Sequence, residues 1–326
     1  MSELYPLKFE PALKEKVWGG NALVASYNKR SAGSKLIGES WELSALSENQ
    51  SIISNGFLAG NNIEEIIEVY MGDITGDSVF KKFGIEFPLL IKFIEAREDL
   101  SVQVHPDDVL ARKRHHAYGK TEMWYILESD KSAIIYTGFR DGVTKEMYEQ
   151  ALKNGKLVDI LNIETVEPGD TFFTPSGRVH AIGAGTLLVE IQQTSDITYR
   201  IFDWNRISTG KEIRELHTDL ALDAIDFNET GNNKIRKEPE LNATVNLVSC
   251  EFFYTGLIKF DSPIRKKYYE IDSFVVYICI EGKFIIRWEG NSEEVAKGET
   301  VLLPALIKEV VLEPVKEVRI LEIYII

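Results

Sequence analysis

The sequence predicts a mainly β protein of two related sandwich or barrel units carrying inserted helices. Three observations lead to that expectation. Segments rich in β-branched and aromatic residues, bounded by Gly, Pro or charge clusters, recur at 101–105, 122–127, 186–193, 274–280, 283–288 and 318–325. They do not alternate regularly with helical segments, which argues against a doubly wound parallel sheet. The chain also carries an internal echo. Gly169-Asp-Thr-Phe-Phe-Thr-Pro175 and Gly298-Glu-Thr-Val-Leu-Leu-Pro304 share the form Gly-acid-Thr-three residues-Pro, and each follows a pair of strand-like segments.

Four segments read as helix. Asn62 caps the first, with Glu64 and Glu65 in its opening turn, Ile63, Ile66, Ile67 and Tyr70 on its apolar face and Gly72 as its stop. Asp107 or Asp108 opens a short helix ending near Gly119. Thr144 opens another, with Met147, Ala151 and Leu152 on one side and Gly155 after it. Thr218 opens the last, with Leu220, Leu222 and Ile225. The polar stretch 228–238, followed by Pro239, reads as a linker. The expected units are therefore 1–230, a catalytic unit with the helical insertions, and 239–326, a shorter β unit.

The 326 residues are 44% hydrophobic and 27% charged, a balance that excludes a disordered chain. No apolar run approaches the roughly 18 residues needed to cross a bilayer. The first residues, Met-Ser-Glu-Leu-Tyr-Pro-Leu-Lys, lack a basic start and apolar run, so no secretory signal is expected. Cys250 and Cys279 then read as reduced core thiols of a cytoplasmic protein. The net charge of −14 argues against nucleic acid and anionic membrane as partners. An anionic small molecule would need local positive charge at its site.

At the strand period, Gln103 and His105 share one face and Val102 and Val104 the other, and Pro106 ends the strand. Glu122 opens the next strand, with Lys120 two residues before it on the same face. His180 closes the spacing Gly169-x5-Pro175-x-Gly177-x2-His180, a strand, a Pro/Gly turn and a histidine. Two histidines and a carboxylate suit a divalent first-row metal that keeps positions open for substrate, with Gln103 as a fourth, neutral donor. Zinc with one carboxylate and neutral partners keeps a charge of about +1, enough to polarise a carbonyl and hold a developing oxyanion. The same residues also describe an iron(II) oxygenase site. His115 and His116, beside Arg112, Lys113 and Arg114, read as a solvated helix end, and His217, ahead of a helix, as structural.

The spacing that ends at His180 resembles the second cupin motif. The wider pattern resembles the type I mannose-6-phosphate isomerases in their shorter bacterial form. Seven segments carry the likeness in order: Lys16-Val-Trp-Gly-Gly20, Gly38-Glu-Ser-Trp-Glu-Leu-Ser44, Phe87-Pro-Leu-Leu-Ile-Lys92, Val102-Gln-Val-His-Pro-Asp-Asp108, Gly119-Lys-Thr-Glu-Met-Trp-Tyr125, Pro175-Ser-Gly-Arg-Val-His-Ala181 and Tyr199-Arg200. The resemblance implies two cupin-type jelly-roll β-domains with inserted helices. The second is degenerate and without metal, because Ala305 to Glu309 supply no Gly and no His after Pro304. It further implies one zinc ion per chain on Gln103, His105, Glu122 and His180, and interconversion of mannose 6-phosphate and fructose 6-phosphate. Arg200 takes the place of the catalytic arginine, Lys120 lies in the pocket, and Glu190 and Asp196 fall on pocket positions. Longer members carry a histidine just before the pocket lysine; this chain has Gly119, so that histidine cannot be the base here.

Moving a carbonyl between C1 and C2 passes through an enediolate, whose charge zinc and Arg200 can both stabilise. If 196–200 is extended, Asp196, Thr198 and Arg200 share a face, and Asp196 can orient Arg200 or share in proton transfer. Lys120 could pair the substrate phosphate or, held neutral beside two cations, act as the base; Glu190 is the competing base. Trp18, Glu39 and Trp41 read as core packing and loop anchors beside the pocket. The alternatives are an iron(II) cupin oxygenase, which Lys120 and Arg200 disfavour, and a non-catalytic sugar-phosphate binding protein, whose signature would be a lost ligand or a lost Arg200. A monomer is the default expectation for assembly.

Overall fold

The structure is a computed structural model that describes residues 4–29, 33, 36–206, 214–228 and 234–326. The echo in the sequence corresponds to an architectural repeat. In the first half, Asp170–Thr174, Glu122–Ser129, Thr186–Gln193 and Leu89–Ala96 lie side by side in that order. Facing them are Val102–Val104, His180–Ile182, Ile134–Phe139 and Leu161–Thr165, also in that order. In the second half the corresponding sheets run Thr300–Leu303, Val275–Glu281, Val318–Tyr324, Tyr254–Phe260 and Ile264–Lys267, Glu309–Pro314, Lys283–Trp288, Asn291–Ala296. Taken in chain order, the strands occupy the same places in both halves. An eight-stranded antiparallel jelly roll therefore occurs twice, as the cupin likeness implies.

Each roll closes on an alternating inner face. Trp124, Ile126, Ile135, Phe172 and Ile182 fill the first, and Tyr277, Phe284, Ile286, Leu312 and Ile320 the second. The outer face of the first large sheet, with Ile91, Phe93, Met123, Val189 and Ile191, packs on Val276, Ile278, Leu321 and Ile323 of the second. Strand Thr186–Gln193 is thus buried on both faces. This is why it carries the apolar run Leu187-Leu188-Val189 before the alternation of Glu190, Ile191 and Gln192.

The first expected unit lends a strand to the second roll, and the expected linker lends one to the first. Leu7–Glu10 pairs with Thr300–Leu303 of the second roll, and Lys234–Arg236 pairs with Asp170–Thr174 of the first. The two borrowed strands attach at equivalent edges. Within the stretch expected to be a linker, residues 229–233 lie outside the described residues, but Lys234–Arg236 is a strand. Its polarity has a cause: Lys234 and Arg236 pair with the fully buried Asp170 at 2.8 and 2.9 Å.

The expected helix starts agree with the structure. Asn62 accepts from Glu65 N and its own N–H reaches the Glu65 carboxylate, a reciprocal cap on Ile63–Tyr70. Asp107 caps Asp108–His115 and Thr144 caps Lys145–Lys153. Two ends fall earlier than expected. Met71, at φ 48°, stops the first helix before Gly72, and His116 in the left-handed region stops the second before Gly119. Cys279 is buried and Cys250 partly buried, and both are free thiols.

Candidate functional site

The sheet registers of the first roll bring the expected residues together. Gln103 sits opposite His180 on one side and opposite Arg200 on the other. On the facing sheet Glu122 lies opposite Gln192, and Glu190 lies between Trp124 and Lys92. The Pro175–His180 turn is fixed by Gly177, at φ +87°, whose N–H donates to the His105 carbonyl at 2.9 Å. That conformation favours glycine, and the bond ties the turn before His180 to His105.

His105, Glu122 and His180 are all buried, and one ligand atom from each lies within 4.8 Å of the others. His105 Nδ1 meets the Ile197 carbonyl at 2.9 Å and His180 Nδ1 the Arg178 carbonyl at 2.8 Å. A carbonyl only accepts, so both Nδ1 atoms carry the proton and both Nε2 atoms present lone pairs. Burial, with the Lys120 charge, holds His105 well below the ordinary imidazole range, and burial brings His180 down to about 3. His180 Nε2 faces Glu122 Oε1 at 3.3 Å, and that oxygen is buried without a hydrogen-bond donor among the described residues. Two electron-rich atoms held this close call for a proton or a cation between them, and burial with the neighbouring Glu190 charge raises the Glu122 carboxyl to about 7. Gln103 completes the set, its amide 3.2 Å from His180 Nε2; turning that amide would present its oxygen. These residues suit a divalent metal such as zinc.

Gln103 and Lys120, which touch the His105, Glu122 and His180 cluster, line a cleft of about 420 Å³ whose walls carry Lys14, Lys16, Lys92, Lys120, Arg200 and Arg214. Among the described residues, Glu39, Glu190 and Asp196 are the carboxylates there. In a chain of net charge −14 this is a local reversal of sign. Lys120 Nζ lies 2.7 Å from Glu122 Oε2 and 3.1 Å from His105 Nε2. Lys92 Nζ pairs with Glu190 Oε1 at 2.9 Å, and Trp124 Nε1 donates to Glu190 Oε2 at 3.0 Å. Burial alone would raise the Glu190 carboxyl, but the Lys92 and Lys120 charges hold it well below the usual range.

Asp196, Thr198 and Arg200 all line the cleft, as an extended 196–200 requires. Asp196 makes no ion pair with Arg200 among the described residues, so orienting that guanidinium falls to other groups. Trp18, Glu39 and Trp41 are wall residues, with Trp41 Nε1 donating to Glu39 at 2.7 Å. Sequence reasoning passed over Lys14 and Arg214, and gave no role to Lys16 and Lys92, although both stand in matched segments. The signal for Lys14 and Lys16 was their spacing of two in the strand Ala12–Gly20. His115 does more than face solvent, because its Nε2 meets the Tyr199 hydroxyl at 2.8 Å.

The departure at Gly119 has a steric reason. A Cβ there would lie 2.6 Å from both the Asp107 carbonyl carbon and Asp108 N, while Gly119 N donates to Asp108 Oδ1 at 2.7 Å. No side chain fits without moving backbone. Gly119→Ala is expected to cost about 1–3 kcal/mol, read as a lowered midpoint in urea unfolding; an unchanged midpoint would show that the turn relaxes freely.

In the second roll, Lys266 and Tyr268 hold the positions of Gln103 and His105, and Glu322 that of Glu190, judged by strand equivalence and register. There Lys266 Nζ pairs with Glu322 at 2.9 Å and the Tyr268 hydroxyl donates to Glu322 Oε1 at 2.5 Å.

Residues 6–142 match the family model for the catalytic domain of type I phosphomannose isomerase. The chain is 34% identical over 314 residues to mannose-6-phosphate isomerase ManA of Bacillus subtilis, covering 94% of this chain and 96% of that protein. It is 32% identical to mannose-6-phosphate isomerase of Streptococcus mutans, covering 93% of each. A crystal structure of the Bacillus subtilis mannose 6-phosphate isomerase superposes with a TM-score of 0.85 at 28% identity, over 99% of this chain and 100% of that one. By sequence along nearly its whole length, by fold and by the cluster at Glu122, this chain belongs to the type I phosphomannose isomerase family.

Proposed function

We propose that this protein is a mannose-6-phosphate isomerase that interconverts mannose 6-phosphate and fructose 6-phosphate, with one zinc ion held by Gln103, His105, Glu122 and His180. One observation carries the reading: two neutral imidazoles and an orphaned carboxylate oxygen converge beside a cleft lined by six cations. A zinc ion held by these residues would supply Lewis-acid chemistry and positive charge at the site. The cations of the cleft attract and orient the phosphorylated sugar. Arg200 Nε is buried with no hydrogen-bond partner among the described residues, which leaves a donor for a substrate oxygen. Free thiols at Cys250 and Cys279 suit a reducing, cytoplasmic setting.

The test is a coupled assay for fructose 6-phosphate formed from mannose 6-phosphate. Turnover lost to a chelator and restored by zinc is the expected result. Inactivity with iron bound would put the oxygenase reading ahead, and inactivity with zinc bound would point to another phosphorylated aldose.

For the proton transfer we place Lys120 ahead of Glu190. Both Glu190 oxygens are already engaged by Lys92 and Trp124, and a carboxylate held this far down is a weak base. Lys120 reaches the metal cluster directly and borders the cleft. Lys120→Ala should lower kcat by about 10²–10⁴-fold with zinc content intact, and Glu190→Gln should lower it less. The reverse order would make Glu190 the base.

A further inference from the structure

Arg200 lies on an outer strand. Among the described residues, Tyr199–Phe202 pairs with Val102–Val104 on one side only, at the end of its sheet. The outward backbone groups at Arg200 therefore need partners from elsewhere. The segment just before the helix Thr218–Ala224 supplies them. Arg200 N donates to the ring nitrogen His217 Nδ1 at 3.2 Å, and His217 N donates to the Arg200 carbonyl at 2.7 Å. Arg200 Nη1 donates to the Glu215 carbonyl at 3.0 Å. Three bonds from two residues thus hold the backbone and the guanidinium of one arginine. The grip is anchored, because Ala221 N donates to the His217 carbonyl at 2.8 Å, and Ala221 packs with Val104, Tyr199 and Ile201. Asp196, the residue that sequence spacing suggested for this task, makes no ion pair with Arg200 among the described residues.

We propose that His217 is a positioning residue for Arg200. Its Nδ1 lone pair does for the Arg200 N–H what the carbonyl of a neighbouring strand does inside a sheet. It fixes the backbone at 200 and so the direction in which the guanidinium enters the cleft. This rests on the reading of Arg200 given above. A donor displaced by about an ångström can cost on the order of 10²-fold in rate, so a group far from the substrate can matter here.

The experiment compares three variants of the zinc-loaded enzyme. His217→Leu removes the acceptor. His217→Asn restores it, because Asn Oδ1 hangs from Cγ where Nδ1 does. His217→Gln places its acceptor one bond too far. The expected result is a kcat about 10–100-fold lower for the Leu and Gln variants, with KM, zinc content and thermal midpoint near wild type, and recovery of most turnover in the Asn variant. Wild-type kcat in the Leu variant would overturn the proposal, as would an Asn variant no better than Gln. If the Leu variant does not fold, the Asn and Gln pair carries the same comparison. Arg200→Ala runs alongside: unchanged kcat there would overturn the reading of Arg200 itself, a failure distinct from that of His217.

Discussion

His180→Ala is expected to leave the protein folded but unable to hold its metal, with turnover reduced by about 10³-fold or more, the loss that several kcal/mol of charge stabilisation implies. The reasoning follows from the geometry. His180 Nε2 is the lone pair that faces the unpartnered Glu122 Oε1 at 3.3 Å. Its tautomer is fixed from behind by the Arg178 carbonyl. Removing the ring leaves Gln103, His105 and Glu122, one short of a four-ligand set, and frees the Lys120 ammonium to take more of the Glu122 charge. The ring also packs against His105 and Trp124, at 4.8 and 5.3 Å between centroids. Its loss therefore costs about 3 kcal/mol in packing. Metal analysis, a melting curve and the coupled assay separate these effects. A folded variant with full zinc and full turnover would remove His180 from the centre.

Arg200→Ala is the second large effect, and it should differ in kind. Arg200 neighbours Gln103 in the sheet but is no part of the metal cluster. Zinc content should stay whole while kcat falls by about 10²–10³-fold, the loss typical when one fixed donor to a developing oxyanion is removed. Arg200→Lys should recover only part, because an ammonium has neither the reach nor the planar fork of a guanidinium. Burial lowers the Arg200 guanidinium somewhat from its ordinary value, with the nearby Arg214 charge adding to the effect. That still leaves it charged at any working pH. Equal loss of zinc and turnover in Arg200→Ala would instead make it a support of the metal site.

Local signals in the chain were enough to name the residues that the fold brings together at His105, Glu122 and His180. Gln103 and His105 lie two apart on a strand, and His180 follows a Pro/Gly turn whose φ requires glycine. Both are short-range facts. The repeat was legible for the same reason, since its turns are made by residues adjacent in sequence. What escaped was made by contacts distant in sequence. The helix Asp77–Phe83 is too short to show a period, and its first N–H groups are received by Asp272, nearly two hundred residues away. The stretch at 234–236 looked like linker because its partners, Asp170 and Glu167, are invisible from its own composition. His217 read as structural because its bond to Arg200 crosses from a loop to a strand edge. Lys14 and Lys16 gained meaning only once Ala12–Gly20 was placed at the rim of the cleft.

The central claim is that one metal ion on Gln103, His105, Glu122 and His180 drives the isomerisation. The most direct measurement is a titration of zinc into chelator-stripped protein while fructose 6-phosphate formation is followed. Turnover should rise in proportion to zinc and level off at one ion per chain, with no response from the His105→Ala protein. Full turnover in the stripped protein, or a titration that levels off only at two ions, would contradict the account.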